Sequence, residues 1–150
     1  MRYEPSAPEV VEAMLQLAAV RPDDVVYDLG CGDGRIVIAA AQRGARGVCV
    51  DIDPQRIAES RDNARKAGVA ERIEFVEEDL MKVQLARATV VMLFLSPALN
   101  RTLRPRLQRE LPAGARVVSH WHSMGDWRPE RTRYIKSDWR ERPVYLWVIR

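Results

Sequence analysis

Val25-Val26-Tyr27-Asp28-Leu29-Gly30-Cys31-Gly32-Asp33-Gly34 is the stretch that decides how this chain folds. Val25 to Leu29 has the β-branched and aromatic content of a buried parallel strand, and Gly34 opens Arg35-Ile36-Val37-Ile38-Ala39-Ala40-Ala41, which suits a packed helix. Strand, glycine turn and helix make the entrance of a nucleotide-binding fold. Alternate glycines let the backbone turn sharply and come close to a ligand, and an acid about 20 residues later, at the end of the next strand, can take ribose hydroxyls. Asp51 stands there, after Gly47-Val48-Cys49-Val50.

A glycine turn alone serves several cofactors, so charge has to discriminate between them. A dinucleotide brings a pyrophosphate to the turn, and a carboxylate about 4 Å from a phosphate costs about 4 kcal/mol at an effective dielectric near 20. Asp28 and Asp33 would impose that cost. S-adenosylmethionine carries a sulfonium and an ammonium and no phosphate, so the same carboxylates attract it. The spacing also ends in Gly34, two residues after Gly32, where the dinucleotide pattern wants three. The expected cofactor is S-adenosylmethionine, with S-adenosylhomocysteine as its product.

Outward from the turn, strands and helices alternate. Upstream, Ser6-Ala7-Pro8-Glu9 reads as a capping box that starts a helix from about Ala7 to Ala19. Downstream, Gly47 to Asp51 is the second strand, Asp53-Pro54 starts a helix that reaches about Lys66, and Arg72 to Val76 is a third strand. Val90 to Leu95 is apolar on both faces, as a strand in the middle of a parallel sheet requires. Leu99, Leu103, Leu107 and Leu111 mark an amphipathic helix that Pro105 kinks or restarts. Arg116 to His120 is a further strand, and Thr132 to Ile135 with Val144 to Ile149 form a closing antiparallel pair. The expected fold is α/β, a Rossmann-like doubly wound seven-stranded sheet, mostly parallel with a C-terminal antiparallel hairpin.

At 150 residues the chain has the length of one domain, so 1–150 is expected to act as a single unit that binds its substrate on the core fold. No apolar run approaches the ~20 residues of a membrane span and the N-terminus lacks a signal-peptide pattern, so a cytoplasmic protein is expected. Two cysteines offer neither a disulfide framework nor metal spacing; Cys31 reads as a small residue in a tight turn and Cys49 as packing. Charge is uneven. Residues 1–100 carry 12 basic and 16 acidic side chains, whereas 101–150 carry 12 and 5. A basic last third fits an acidic macromolecular partner, or simply a solvated face.

Ligands of such sheets bind beyond the carboxyl ends of the strands. Asp28 to Gly34, Asp51, Asp79, Leu95 to Pro97 and His120-Trp121-His122 fall there. These motifs resemble the class I, seven-strand methyltransferases. Tyr3-Glu4-Pro5-Ser6, the run Ala88 to Leu95, Leu103-Arg104-Pro105-Arg106-Leu107, Arg116 to His120 and Trp127-Arg128-Pro129 resemble a subgroup of them, the small protein-lysine methyltransferases. That subgroup comprises the broad-specificity archaeal enzymes and the enzymes that act on an ATP synthase subunit.

The resemblance implies that Asp28, Gly30, Cys31, Gly32 and Gly34 hold the methionine moiety and that Asp51 and Ile52 meet the ribose. It gives Asp79 and Leu80 the adenine edge, and makes Leu95 a further cofactor contact. Tyr3, Pro5 and Ser6 close over the methionine end, while Ser96, Pro97 and Asn100 shape an acceptor channel lined by His120 and Trp121. Where the archaeal enzymes are expected to place an acid and then an aromatic after the serine-histidine pair, this chain has Trp121 and His122. A cation–π contact from Trp121, worth about 0.5–2 kcal/mol, stands in for the missing carboxylate.

The implied partner is a protein bearing a lysine, and the implied reaction is in-line methyl transfer. Alignment of the nucleophile supplies about 7–11 kcal/mol, so no dedicated base is assigned. A lysine of pKa near 10.4 is only about 0.1% neutral at physiological pH, which costs about 4 kcal/mol, and a nearby sulfonium reduces that cost. Rival readings are a nucleic-acid methyltransferase, a small-molecule methyltransferase and a non-catalytic adenosylmethionine-binding module. Methylation of a base amine is disfavoured, because Leu95-Ser96-Pro97-Ala98 lacks the Asn or Asp before Pro-Pro-aromatic that such enzymes use.

Overall fold

Short, largely apolar segments, the central ones buried on both faces, build one sheet from seven strands among the described residues. They are β1 (Val25–Leu29), β2 (Arg46–Asp51), β3 (Ile73–Glu77), β4 (Val90–Leu93), β5 (Arg116–His120), β6 (Arg131–Ser137) and β7 (Arg140–Val148). The computed structural model describes residues 5–150. Strand order is β3-β2-β1-β4-β5-β7-β6, so β4, buried at every residue, occupies the middle. Pairing is parallel from β3 to β5, and β7 runs antiparallel to both β5 and β6. The fold is therefore the α/β, mostly parallel arrangement with a closing hairpin that the strand pattern predicts.

Successive side chains of a strand point to opposite faces, and each face has its own cover. On one face α1 (Pro8–Ala18) and α2 (Arg35–Gln42) bury Val10, Met14, Leu15 and Ile36 against Val26, Met92 and Val118. Beside them α3 (Pro54–Lys66) packs Ile57 and Ala64 with Val37 and Cys49. On the opposite face α4 (Pro97–Glu110) sets Leu103 and Leu107 on Tyr27, Leu93, Val117 and Trp147. The segment 78–89 carries Val83 and Leu85 into the same cluster in place of a helix. Arg106 fastens it there, donating to the carbonyls of Leu80, Met81 and Val83 while pairing with Glu110.

The order reverses between β1 and β4: β2 and β3 lie to one side of β1, and the chain then crosses to its other side. In sheets of this order ligands bind in a crevice at the switch point, which falls here past the carboxyl ends of β1 and β4. Gly30 and Leu95 face each other in it, and a Cβ on Gly30 would stand 3.3 Å from Leu95 Cδ2.

Three local expectations change. Ser6 does not cap α1; Ala7 is the cap residue with no side-chain hydrogen bond, because the Ser6 hydroxyl is turned instead toward His120. Pro105 does not restart its helix, which runs as one element from Pro97 to Glu110. Cys31 and Cys49 are joined in a disulfide, with Cα atoms 5.3 Å apart. The parallel β1–β2 pairing explains the bond: it sets Asp28 opposite Cys49, and the turn then folds Cys31 back, its N–H donating to Val50 O.

Candidate functional site

The first wall of the crevice is the glycine turn. Gly30, Gly32 and Gly34 have φ of 87°, 58° and 85°, conformations that an L side chain resists. At Gly34 space is also lacking, since a Cβ would lie 2.9 Å from Ser60 Cβ where α2 begins against α3. Asp51 braces the turn from the next strand: one carboxylate oxygen accepts the Gly32 N–H at 3.0 Å and the other accepts the Asp53 N–H at 3.0 Å. Asp53 in turn accepts the Gln55 N–H and caps α3.

The acids of this wall divide into two kinds. Asp33 is met by Arg35, whose Nη2 lies 2.6 Å and whose Nε lies 3.1 Å from its carboxylate oxygens. Its charge is thereby paired within the protein, which leaves Asp28 as a carboxyl of this wall with no ion-pair partner of its own among the described residues for a cofactor cation to meet. Asp28 is buried, and its carboxyl is pushed up to about 8, chiefly by burial and then by the charges of Asp51 and Asp33. A carboxyl in that position gains most from a cation placed beside it. Ile52 is exposed at 69% immediately after Asp51, an apolar surface at the strand end. Asp79 and Leu80 follow β3, where Asp79 Oδ1 accepts the Met81 N–H at 2.9 Å.

Contacts between distant parts of the chain build the second wall. Ser6 Oγ lies 2.9 Å from His120 Nδ1, and both residues are buried. Phe94 packs on the His120 ring, tilted by 31° with centroids 4.0 Å apart. Burial, Arg142 and His122, in that order, push the His120 imidazole down to about 4, so it is neutral at physiological pH. Trp121 follows with φ 75°, and the His122 N–H donates to His120 O at 2.9 Å, a tight γ-turn that strains a residue with a Cβ. Ser96 caps α4 by accepting the Leu99 N–H at 3.2 Å, and Pro97 is exposed at the first turn.

Not every expected site residue faces the crevice. Asn100 is fully buried, and its amide donates to Ser119 Oγ and to the carbonyls of His122 and Ser123, so it anchors the 121–123 turn and does not line a channel. The Arg142 guanidinium lies 5.5 Å from the Trp121 ring centroid, so the cation–π partner expected from a substrate lysine is already supplied by the protein. Tyr3 lies outside the described residues, and Pro5 is exposed just inside them. The sequence reading missed Arg35, Phe94 and Arg142. Arg35, two residues from Asp33, was visible as a local ion pair; Arg142 reaches the site only through pairing of β7 with β5.

Sheet order, switch-point crevice, glycine turn and braced strand-end acid together define a class I methyltransferase that uses S-adenosylmethionine. Comparison with known proteins is more specific. The model of the ANTKMT methyltransferase domain matches residues 28–131, and the chain belongs to this family. It is 42% identical to a protein-lysine N-methyltransferase of Saccharolobus islandicus, over 98% of this chain and 92% of that one. A mouse adenine nucleotide translocase lysine N-methyltransferase is 39% identical over 85% of this chain, which spans 56% of that protein's length. A solved structure described as an RNA methyltransferase from Salinibacter ruber, in complex with S-adenosyl-L-homocysteine, superposes with a TM-score of 0.93 at 48% identity. The match covers 97% of this chain and 94% of that one.

Proposed function

We propose that this methyltransferase transfers the methyl group to lysine side chains of proteins. The observation that carries the reading is the end-to-end likeness to an archaeal protein-lysine methyltransferase of nearly the same length. Local chemistry agrees with it, since partial desolvation beside the Trp121 indole and the cofactor's sulfonium favours the neutral form of an amine, whose proton passes to solvent before it approaches as a nucleophile. No helix of the described residues is long and apolar enough to cross a membrane. We place the reaction in the cytoplasm; the buried Cys31–Cys49 bond is the feature that this location has to accommodate, because disulfides persist mainly in oxidising compartments.

Residues of the first wall fit the cofactor. Asp28 takes the ammonium of the methionine moiety, which relieves the cost of its burial, and Gly30, Cys31, Gly32 and Gly34 let the backbone approach. Asp51 keeps acceptor capacity for ribose hydroxyls beyond the two N–H groups it holds. Ile52, Leu80 and Leu95 supply apolar contact, Asp79 the adenine edge, and Tyr3, Pro5 and Ser6 the cover over the methionine end. S-adenosylmethionine supplies an already activated methyl on its sulfonium. The remaining task of the protein is to orient the acceptor nitrogen, to which Ser96, Pro97 and Trp121 contribute directly, and the buried His120 and Asn100 through the residues they hold.

A second reading, methylation of RNA, has one observation in its favour: the Salinibacter structure bears that description. The basic last third adds less than its count implies. Arg104 binds Met124 O and Asp126, Arg116 binds Ala18 O and Asp24, and Arg106 and Arg142 are engaged as described, so these cations serve the fold. Incubation of the protein and a cell lysate with methyl-labelled S-adenosylmethionine separates the two readings. Label in protein, released by acid hydrolysis as methyl-lysine, is the expected result; label confined to RNA or small molecules overturns it.

A further inference from the structure

We infer that Arg142 is a positioning residue of the acceptor wall: its guanidinium fixes His120 in the Nδ1–H tautomer, thereby sets the direction of the Ser6 hydroxyl, and holds the Trp121 indole in its strained turn. The inference rests on the acceptor side assigned above and extends it to a residue outside the strand-end motifs.

The hydrogen-bonding capacity of each group selects the tautomer. A guanidinium only donates. Arg142 Nη1 lies 3.4 Å from His120 Nε2, a long hydrogen bond whose sense is fixed: Nε2 presents its lone pair. An N–H at that nitrogen would face a cationic donor inside a buried cluster. The proton of the neutral ring therefore sits on Nδ1, which donates to Ser6 Oγ at 2.9 Å. Having accepted from His120, the Ser6 hydroxyl keeps its own hydrogen for another acceptor. In the opposite tautomer Ser6 would have to donate to Nδ1 and that hydrogen would be consumed. The Ser6 carbonyl is held at the same time by Arg35 Nη1 at 2.8 Å, and Arg35 grips Asp33 of the glycine turn. A continuous line of polar contacts thus joins β7 to the cofactor wall.

Trp121 supplies the second strand of the argument. A residue with a Cβ at φ 75° persists only where its surroundings over-determine it. Here its N–H donates to Pro143 O at 2.8 Å, the following N–H closes the γ-turn, and the neighbouring Arg142 guanidinium lies 5.5 Å from its ring centroid. One residue, Arg142, contacts both the ring that sets the Ser6 hydroxyl and the indole that walls the channel.

The chain contains two histidines, so nitrogen-15 labelling of histidine gives a two-residue spectrum in which His122→Gln assigns the signals. At pH 7.5 and without any acceptor, His120 is expected as the Nδ1–H tautomer; Arg142→Met shifts it toward Nε2–H, whereas Arg142→Lys, which still donates, preserves it. With an acceptor protein, Arg142→Met is expected to raise KM about fivefold, on the order of the backbone strain at Trp121 that Arg142 helps to hold, while kcat and cofactor affinity change less. An Nε2–H tautomer in the wild-type protein overturns the inference even if the variant fails to fold, and so does a loss shared equally by cofactor and acceptor. Because the tautomer is read with no acceptor present, failure of the lysine reading and failure of this one are separate results.

Discussion

The two walls of the crevice are built from contacts of very different reach. Three ties that shape the glycine turn stay within its own βαβ unit: Asp33 to Arg35 across two residues, Cys31 to Cys49 across 18, and Gly32 to Asp51 across 19. On the acceptor side, Ser6 meets His120 across 114 residues, while Arg142 meets His120 across 22 and Asn100 meets the 122–123 carbonyls across 22 and 23. A wall made of one βαβ unit is specified by its own stretch of chain. A wall gathered from α1, α4, β5 and β7 is specified by the whole fold, and its chemistry can change through residues that no local pattern marks.

Reducing the Cys31–Cys49 bond gives the largest expected effect and tests whether the first wall is an autonomous unit. A loop of about 15 residues closed by a disulfide is worth roughly 3 kcal/mol. For a chain of this size that corresponds to a fall of roughly 6–12 °C in Tm, measured by calorimetry with and without reductant. Hydrogen exchange should quicken at residues 30–34 and stay unchanged at 119–123. Equal loosening of both walls would erase the distinction between them.

Asp51→Ala is next. The carboxylate accepts two backbone N–H groups and faces the crevice, and charge-assisted hydrogen bonds of this kind are worth about 1.5–3 kcal/mol. Calorimetric titration with S-adenosylhomocysteine should show affinity weakened roughly 10- to 150-fold, with the γ-turn at Trp121 undisturbed. Unchanged affinity would take the ribose role away from Asp51 and leave it as a brace alone.

This difference in reach also decides what was legible from residues alone. β4 announces itself as the middle strand because Val90 to Leu93 are apolar at every position, and the Asp53-Pro54 start of α3 carries its capping chemistry in two adjacent residues. The glycine turn and Asp51 are likewise readable from spacing within one βαβ unit. Ser6 was misread because a serine three residues before a glutamate satisfies the capping pattern whether or not its hydroxyl has a better partner 114 residues away. Asn100 was misread for the same reason: its position next to the strand end is local, whereas its bonds to the 122–123 turn are not. Two cysteines 18 apart suggested no framework, since only the parallel register of β1 and β2 brings them together.

The smallest expected effect is a proton count, and it bears on Asp28, the buried acid of the first wall. In the ligand-free fold the Asp28 carboxyl, pushed up to about 8, holds its proton at pH 7, whereas in the unfolded chain an aspartate titrates near 3.9. Between about pH 4 and 8 the fold therefore binds a proton that the unfolded chain has lost, so this group makes stability fall as pH rises through that window and adds nothing below it. Asp28→Asn removes the slope and should raise the ligand-free Tm at pH 8 while leaving it nearly unchanged at pH 4. A cation seated at the carboxyl favours its ionised form, so cofactor binding at pH 7 should release up to about one proton. Calorimetry in buffers of different ionisation enthalpy measures that release, which should fade above pH 9 and vanish in Asp28→Asn. If binding to the wild-type protein releases no proton, the methionine ammonium is held elsewhere, and the first wall discriminates its cofactor by the shape of the glycine turn and Asp51 alone.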